Sequence, residues 1–349
     1  MLRQALASLP KTLDETYVRI LDGIPSNHKQ DTIRILQFLA YSERPLRLEE
    51  AVDAIVVKPE VSPGFKLEDR MPKPEEIVSS CSSLAIIVPI WDRRSGQEIR
   101  ELRLAHFSVK EYLTSNRVRK DLCHYFRETT ARASITTVCL AYLIHLDQKL
   151  LVREIRKRFP FAQYCARYWV THAIAGEEDE ILQGLIMDFF LWRERSYTNC
   201  YQLYNPERPQ DEEPDKEVVN PPAALYYASL VGLNSAVQVL LKKGADVNTQ
   251  GGEYGNALQA ASVRGHDKIV ELLLGKGADV NAQGGVFGNA LQAASVRGRD
   301  KIVELLLGKC ADVNAQGGLY GNALQAASVG GHDKIVELIL KFNKRLNLT

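Results

Sequence analysis

The last third of the chain repeats one pattern of apolar and polar positions with a period of 33 residues. The unit GNALQAASVRGHDKIVELLLGKGADVNAQGGVF at residues 255–287 recurs at 288–320 with four differences, and a third copy begins at Gly321. A degenerate copy precedes them. In each copy the apolar spacing predicts two short helices and an extended loop. The second helix carries more apolar surface than one hairpin can bury, so the copies must stack on each other.

Local signals mark where these helices begin and end. Asn256 and its counterparts Asn289 and Asn322 are predicted N-caps of the first helix, and Gly265 ends that helix. Cys310 stands where the neighbouring copies have glycine, just after the second helix. That position usually needs a positive φ, which costs a non-glycine residue about 1 kcal/mol. We therefore expect Cys310→Gly to raise the melting temperature.

The period, the double-helix pattern and the GADVN end at residues 277–281 resemble the ankyrin repeat. One departure is the NALQ opening, which replaces the usual TPLH. Asn256 then takes the place of the capping threonine, and Gln259 takes that of the histidine that links neighbouring repeats. The resemblance implies a solenoid of four repeats over residues 222–349 and a protein-binding role.

Upstream of the repeats the chain is patterned mainly as helices. A helix end at residues 2–9 is followed by a second helix whose apolar stripe includes Leu13, Tyr17 and Leu21. We interpret residues 1–28 as the helical end of an upstream domain. The alternative is that later helices of this chain cover the stripe.

Residues 29–115 are predicted to form a winged helix, with three helices and a β-hairpin followed by a further helix at Phe107–Leu113. The predicted helices and strands are Thr32–Tyr41, Leu48–Val57, Pro74–Cys81, Leu84–Trp91 and Arg100–Ala105. Winged helices often bind DNA, but the third helix opens on Glu75 and Glu76, which would repel phosphates. We therefore expect no nucleic-acid partner.

Two further segments join this region to the repeats. Residues 116–204 are predicted to be a helical spacer, whose aromatic residues at helical spacing belong to its core. Residues 205–221, NPERPQDEEPDKEVVNP, are predicted to be an acidic, proline-rich, mobile linker. The fold class predicted for the whole chain is mainly α, with a winged helix, a helical spacer and an ankyrin-repeat solenoid.

Composition narrows the possible functions. The 349 residues are 45% hydrophobic and carry a net charge of +1, which gives no general attraction to nucleic acid or to an anionic membrane. Six cysteines without a CxxC pair and seven histidines without a cluster indicate neither disulfides nor a metal site. We found no apolar run of spanning length and no leader peptide. We expect an intracellular, cytoplasmic protein with no membrane or metal partner.

Motifs for catalysis are absent from the sequence. We found no GxxxxGK[ST] phosphate loop, no GxGxxG after a strand, and no GxSxG, HExxH or EF-hand pattern. No nucleophile, base and orienting group can be nominated. The chain is therefore expected not to be an enzyme and to need no cofactor.

Three stretches resemble fungal NACHT proteins that end in ankyrin repeats, a group of STAND-type signalling NTPases. They are LPKTLDETYVRIL at 9–21, SERPLRLEEA at 42–51 and LRLAHFSVKEYL at 102–113. The resemblance implies a winged helix of the type named after GPI inositol-deacylase, then a spacer and repeats. The NACHT ATPase is missing, so the chain looks like a C-terminal fragment, a truncated gene model or a degenerate paralogue.

The same resemblance assigns a role to His106. In the wider NACHT class a winged-helix histidine contacts the β-phosphate of ADP, and His106 lies at the matching place, followed by Glu111 and Tyr112. This role requires an upstream NACHT domain. The alternative is that His106 only packs where a strand meets a helix.

The predicted protein-binding residues lie at the loop tips, where near-identical copies differ. They are Glu253, Tyr254, Val286, Phe287, Leu319 and Tyr320. The three rings, one per repeat, are either exposed anchors for a partner or buttresses of the loops. The predicted function is a non-catalytic interaction and regulatory module acting through the concave face and the tips. The alternatives are a nucleotide-controlled switch subunit working with a separate NACHT ATPase, or a DNA-binding winged helix.

Overall fold

The computed structural model describes residues 12–61, 64–79, 81, 83–93, 96–177, 179–210 and 220–346. The chain divides into two compact units, residues 1–182 and 183–349. The helix end predicted at residues 2–9 lies outside the described residues. The domain boundaries predicted at 28, 115 and 204 stay predictions.

The first unit is mostly helical. Tyr17, Leu36 and Phe38 are among its buried side chains. Its helices are α1 (Leu13–Asp22), α2 (Ser26–Tyr41), α3 (Leu48–Val56), α4 (Phe107–Leu113), α5 (Lys120–Cys123), α6 (Glu128–His145), α7 (Val152–Arg158) and α8 (Ala162–Ala175), and α9 (Glu180–Trp192) crosses into the second unit.

A small antiparallel sheet interrupts these helices. In the described part of the unit it has three strands, β1 (Leu46–Arg47), β2 (Ala85–Asp92) and β3 (Gln97–Leu104), in the order β1-β3-β2. The predicted hairpin pairs Ala85 with Leu104 and Asp92 with Gln97. The two-residue strand β1 was not predicted, because so short a segment has no measurable alternation. The predicted third helix is a shorter 3-10 turn, Pro74–Val78.

Helix α1 packs within its own unit. The rings of Tyr17 in α1 and Tyr112 in α4 lie 5.2 Å apart, and the hydroxyls of Tyr17 and Ser108 lie 2.6 Å apart. Leu21 joins the same buried cluster as Leu36 of α2. Later helices of this chain therefore cover Tyr17 and Leu21 of the apolar stripe, whereas Leu13 is 61% exposed.

A buried polar cluster joins α6 to α8 in this unit. His172 is fully buried, and its Nδ1 lies 3.2 Å from a guanidinium nitrogen of Arg132. Its Nε2 lies 3.0 Å from the hydroxyl of Tyr164. Since the guanidinium can only donate, Nδ1 accepts and the ring proton resides on Nε2. Burial, with repulsion from Arg132, lowers the pKa of His172 to about 4.

The second unit is a stack of helical hairpins. It holds α10 (Glu194–Leu203), α11 (Ala224–Val231), α12 (Asn234–Lys242), α13 (Ala257–Arg264), α14 (Asp267–Gly275), α15 (Ala290–Val296), α16 (Asp300–Gly308), α17 (Ala323–Val329) and α18 (Asp333–Leu346). The four hairpins from α11 to α18 correspond to the four predicted copies. Helix α10, predicted as the end of the spacer, belongs to this unit.

The described residues contain neither a metal-binding cluster nor a helix that could span a membrane. Within them, no group of three or more His, Cys, Asp or Glu side chains is placed to hold a metal ion. None of the helices found there combines the length and the apolar character needed to cross a membrane. All six cysteines are free thiols.

Candidate functional site

Asparagine side chains begin the first helix of the last three repeats, as predicted. The side-chain oxygens of Asn256, Asn289 and Asn322 accept from the backbone N–H three residues later, at 2.9, 2.8 and 2.9 Å. Each asparagine has extended φ and ψ angles, which an N-cap requires. These caps fix the first helix of each repeat, which we call the inner helix, against the loop that precedes it; the second helix of each repeat is the outer helix.

A glutamine links each of the two middle repeats to the next. Gln259 Nε2 lies 3.3, 3.1 and 3.0 Å from the carbonyl oxygens of Ala282, Gly284 and Gly288. Gln292 makes the equivalent set one repeat later. Both side chains are buried. Gln259 therefore links neighbouring repeats, as its place in the NALQ opening predicted.

The three tip rings form a stacked ladder, which we call the ring ladder (Tyr254, Phe287 and Tyr320). Successive centroids lie 5.7 and 6.2 Å apart, with interplanar angles of 12° and 9°. Tyr254 and Phe287 are only 7% and 6% exposed, whereas Tyr320 is half-buried. The anchor interpretation needed exposed rings, so the structure favours the buttress interpretation for Tyr254 and Phe287.

The residues before these rings join the tips through the backbone. The N–H of Val286 donates to the carbonyl of Glu253 at 3.0 Å, and the N–H of Leu319 donates to that of Val286 at 3.0 Å. The side chain of Glu253 pairs with Arg208 at 2.8 Å. Leu319 is 70% exposed, and Val286 is half-buried. Of the six predicted tip residues, Leu319 is thus the one most available to a partner.

Two arginines that sequence reasoning missed lie over the ladder. The guanidinium carbon of Arg264 is 6.0 Å from the ring centre of Tyr254, and that of Arg297 is 5.7 Å from the ring centre of Phe287. Both arginines are exposed at the ends of inner helices. The two arginines occupy the same position in two consecutive copies, and this repetition was the signal that the sequence offered. The last copy has Gly330 at this position, so Tyr320 has no such cover.

A buried carboxylate lies at the start of the predicted linker, and sequence reasoning missed it as well. Glu207 accepts from the hydroxyls of Tyr201 and Tyr226, each at 2.5 Å, and from the backbone N–H of Glu253 at 2.6 Å. Burial, followed by the effect of this carboxylate, raises the pKa of both tyrosines. The beginning of the predicted linker is therefore packed, which differs from the mobile segment we expected; residues 211–219 lie outside the described part.

The backbone at Cys310 has the predicted left-handed conformation. Its φ is 61°, the only positive φ of a non-glycine residue in the described part of the chain. The equivalent glycines, Gly244 and Gly277, have φ of 88° and 87°. The strained position predicted from the sequence is confirmed.

His106 lies where β3 meets α4, with one ring nitrogen engaged. Its Nδ1 accepts from the N–H of Ser108 at 3.2 Å and lies 2.6 Å from the hydroxyl of that serine. An accepting Nδ1 places the ring proton on Nε2. The ring is exposed. His106 therefore caps α4 through its Nδ1.

Known families match the second unit. Models of ankyrin repeats match residues 193–284, as three copies, and residues 289–318, as one. The C-terminal unit carries ankyrin repeats. The first of these matches begins at α10, in agreement with the place of that helix in the second unit. The repeats indicate a role in protein–protein interaction.

One relative extends the comparison beyond the ankyrin repeats. The chain is 40% identical over 271 residues to the azaphilone pigments biosynthesis cluster protein L of Monascus ruber. The match covers 73% of this chain and 57% of the relative, so the chain spans little more than half of that protein. The matched stretch of 271 residues is longer than the second unit, residues 183–349, which we call the ankyrin unit. The likeness therefore includes part of the first unit.

Proposed function

We propose that the chain is a non-catalytic interaction and regulatory module whose ankyrin repeats bind a protein partner through the inner-helix ends and the loop tips. The observation that carries this proposal is the pair Arg264 and Arg297, each exposed and held over a buried ring. Arginine is one of the residue types enriched in binding hot spots, and a guanidinium group over an aromatic ring is held there by a cation–π interaction. Because the two arginines are one repeat apart, their guanidinium groups lie at equivalent places on neighbouring repeats.

The rest of the surface supports the same conclusion. The rings fix the loops from within, so the outer positions can vary without loss of the stack. Leu319 and Val286 add apolar surface at two of the tips. A partner with acidic side chains would pair with the arginines and gain both charge and packing.

The experiment is affinity purification of the full chain from cells that express it, with quantitative mass spectrometry of bound proteins. We expect the double variant Arg264→Glu/Arg297→Glu to lose the specific partner. The matched control is Lys276→Glu/Lys309→Glu, which makes the same charge change at exposed outer-helix ends with the same spacing. Equal partner recovery from both double variants would contradict the proposal.

For the first unit we propose a winged helix of the kind that follows a NACHT domain. The order α2, β1, α3, a 3-10 turn, β2 and β3, with β3 in the centre of the sheet, supports this assignment. The NACHT-like regulatory role remains a proposal from the resemblance at residues 9–21, 42–51 and 102–113.

A second candidate function is a nucleotide-controlled switch subunit that acts with a separate NACHT ATPase. The exposed ring of His106 supports it, because a ring whose Nδ1 accepts from the N–H of Ser108 turns its Nε2–H outward, where a phosphate oxygen can accept it. The test fuses the chain to a cognate NACHT segment and measures ADP retention. We expect faster ADP loss for His106→Ala and no change for His124→Ala, another exposed histidine; equal retention in all three proteins excludes this role.

DNA binding is not proposed. The two arginines of strand β3 are paired with carboxylates: Arg100 contacts Glu75 and Glu49, and Arg103 lies 2.7 Å from Glu101. The 3-10 turn that replaces the third helix carries Glu75 and Glu76 directly after its first residue, Pro74. We expect the full chain not to shift a random DNA duplex at low salt.

The proposal that the chain is not an enzyme rests on the missing motifs. The name of the Monascus ruber relative refers to a pigment biosynthesis cluster but specifies no reaction. We propose that this chain, like other ankyrin proteins, acts by binding rather than by catalysis.

A further inference from the structure

Arg299 adds a third guanidinium group beside those of Arg264 and Arg297. The two near-identical copies differ at four positions, and one of these differences exchanges His266 for Arg299. A Cβ atom built on Gly265 would lie 2.9 Å from Cζ of Arg299, so this guanidinium lies over the residue that follows Arg264. Arg299 is exposed, like the other two arginines. We call the three residues the arginine cluster (Arg264, Arg297 and Arg299).

Histidines at the place of Arg299 in two other repeats are bonded within the stack. Nε2 of His266 lies 3.2 Å from the carbonyl oxygen of Leu230, and Nε2 of His332 lies 3.2 Å from that of Val296. No hydrogen bond or ion pair joins the side chain of Arg299 to another described residue. The stack therefore accepts histidine at this position, and the donors of the arginine are left for a ligand.

Two titratable groups lie within electrostatic reach of the cluster. Burial lowers the pKa of His266, and the charges of Arg264 and Arg299 lower it further. Burial raises the pKa of Tyr254, and the charges of Arg264 and Arg297 oppose that rise. Arg264 acts on both groups, and each of the other two arginines acts on one. The three charges therefore form one cluster with Arg264 between the other two.

The carboxylates around the cluster are engaged elsewhere. Asp267 and Asp300 each pair with a lysine of the next repeat, and Glu253 pairs with Arg208. Glu207 accepts from two tyrosine hydroxyls and one backbone N–H. In the part of the chain that the structure describes, no arginine of the cluster forms an ion pair with a carboxylate. The cluster thus keeps a positive charge that an anionic ligand would neutralise.

Two of the three guanidinium groups are held in place before a ligand binds. Arg264 lies over the ring of Tyr254 and donates to the carbonyl oxygen of Pro206 at 2.5 Å. Arg297 lies over the ring of Phe287. A side chain that is already held loses less conformational freedom on binding, so more of the interaction energy appears as affinity.

We propose that the arginine cluster binds the phosphoryl group of a phosphorylated serine or threonine in the protein partner. This inference rests on the proposed function, because it specifies what the partner presents to the inner-helix ends. A phosphoryl group carries a charge of about −1.5 to −2 and three acceptor oxygens. A carboxylate carries one charge and is matched by one guanidinium group in a bidentate pair. Three guanidinium groups without a carboxylate partner among the described residues fit the phosphoryl group better.

The test measures binding of the full chain to three immobilised peptide libraries by biolayer interferometry. The libraries share degenerate flanking positions and differ in a fixed central residue, which is phosphoserine, glutamate or serine. We expect an apparent affinity about tenfold or more higher for the phosphoserine library than for the other two, because only its phosphoryl group engages all three guanidinium groups. Equal binding of the phosphoserine and glutamate libraries overturns this inference but is compatible with the acidic partner of the proposed function.

Arg299→His removes the third guanidinium group and leaves the residue type that the stack accepts at 266 and 332. It should weaken binding of the phosphoserine library by about fivefold or more and change binding of the glutamate library little. The matched control is Lys309→His, which lies at the other end of the same outer helix, about 13 Å away along its axis. Circular dichroism checks that both variants keep their helices. Equal effects of the two changes overturn the inference.

Failure of this inference and failure of the proposed function give different results. The captured partner, eluted and treated with a protein phosphatase, should no longer rebind the full chain. A partner that Arg264→Glu/Arg297→Glu loses, but that rebinds the wild type after phosphatase treatment, contradicts only the phosphoryl assignment. Equal recovery from the two double variants contradicts the proposed function itself. A random single-stranded DNA that displaces the phosphoserine library at equal phosphate concentration also overturns the inference, since the cluster then serves a nucleic acid.

Discussion

Single residues in this protein show how closely a local sequence signal can specify a conformation. Cys310 has φ of 61° because it follows an outer helix at the place where the other copies use glycine. The helix end, rather than any distant contact, imposes that angle. Asn256 and its counterparts cap their helices through bonds to residues three positions away. Signals of this kind depend only on a few neighbouring residues, and the sequence was enough to read them.

Cys310→Gly should raise the melting temperature of the ankyrin unit, because it removes left-handed strain of about 1 kcal/mol. The reciprocal change Gly277→Cys introduces the same strain at the equivalent position, where an added Cβ meets nothing within 4 Å. We expect it to lower the melting temperature by a similar amount. Calorimetry of the two variants measures the direction of each change in melting temperature. A lower melting temperature for Cys310→Gly would contradict the strain argument.

The first unit should lose stability as the pH falls from about 6.5 towards 4 because of His172. Its pKa is lowered in the folded state, so the unfolded chain takes up the proton first and is favoured as the pH decreases. A shift from 6.5 to about 4 corresponds to about 3 kcal/mol. Urea unfolding followed by the fluorescence of the buried Trp169 measures this loss.

The control for this prediction is His172→Gln, which removes the titrating group. Its stability should fall less steeply over the same pH range than that of the wild type. The same slope in both proteins would show that other groups cause the acid sensitivity.

At the scale of elements, contacts between repeats decide what a side chain does. Gln259, Gln292 and Gln325 have the same sequence context, yet each of the first two binds three carbonyls of the loop that leads into the next repeat, and the third is exposed. The ring ladder follows the same rule, since Phe287 has a ring on each side and Tyr320 has one neighbour. A periodic sequence specifies the stack, but each position acquires its environment from the repeat that follows.

Gln259→Ala should destabilise the ankyrin unit by about 1–3 kcal/mol, because buried carbonyl oxygens lose their donor. Gln325→Ala is the matched control: the same change at a position with no following repeat in the described residues should cost much less. Urea unfolding followed by circular dichroism compares them. Equal losses would show that the bonds between repeats add little.

Phe287→Ala should cost about 3–5 kcal/mol if the rings buttress the loops, since it leaves a cavity between Tyr254 and Tyr320. Tyr320→Ala, at the end of the ladder, should cost less. Thermal unfolding of both variants measures the difference. A Phe287→Ala protein of unchanged stability that binds its partner poorly would restore the anchor interpretation.

At the scale of the whole molecule, the chain forms two units whose boundary lies inside α9. Sequence patterning predicted the helices of the second unit but assigned α10 to the spacer. One contact that ties this region to the repeats is made by Glu207, which accepts from tyrosines of α10 and α11 and from a loop tip. One acidic residue in a proline-rich segment gave no sign of burial.

Glu207→Ala should destabilise the ankyrin unit by about 1–3 kcal/mol, since two buried hydroxyls and one N–H lose their acceptor. Glu253→Ala removes only an ion pair with the exposed Arg208 and should cost less than about 1 kcal/mol. Hydrogen exchange by mass spectrometry should show faster exchange in α11 and α13 for the first variant alone. Unchanged exchange in both helices would contradict the role of Glu207.

The sequence by itself determined the repeat, its helix caps, the left-handed residue and the hairpin of the first unit, because these follow from periodicity and from interactions a few residues apart. The tertiary structure decided which rings are buried, where the two units divide and which carboxylate is enclosed. Those outcomes depend on side chains that are distant in sequence and come together only when the helices stack. The exposed arginines became candidates for binding only once the stack had placed them over the rings.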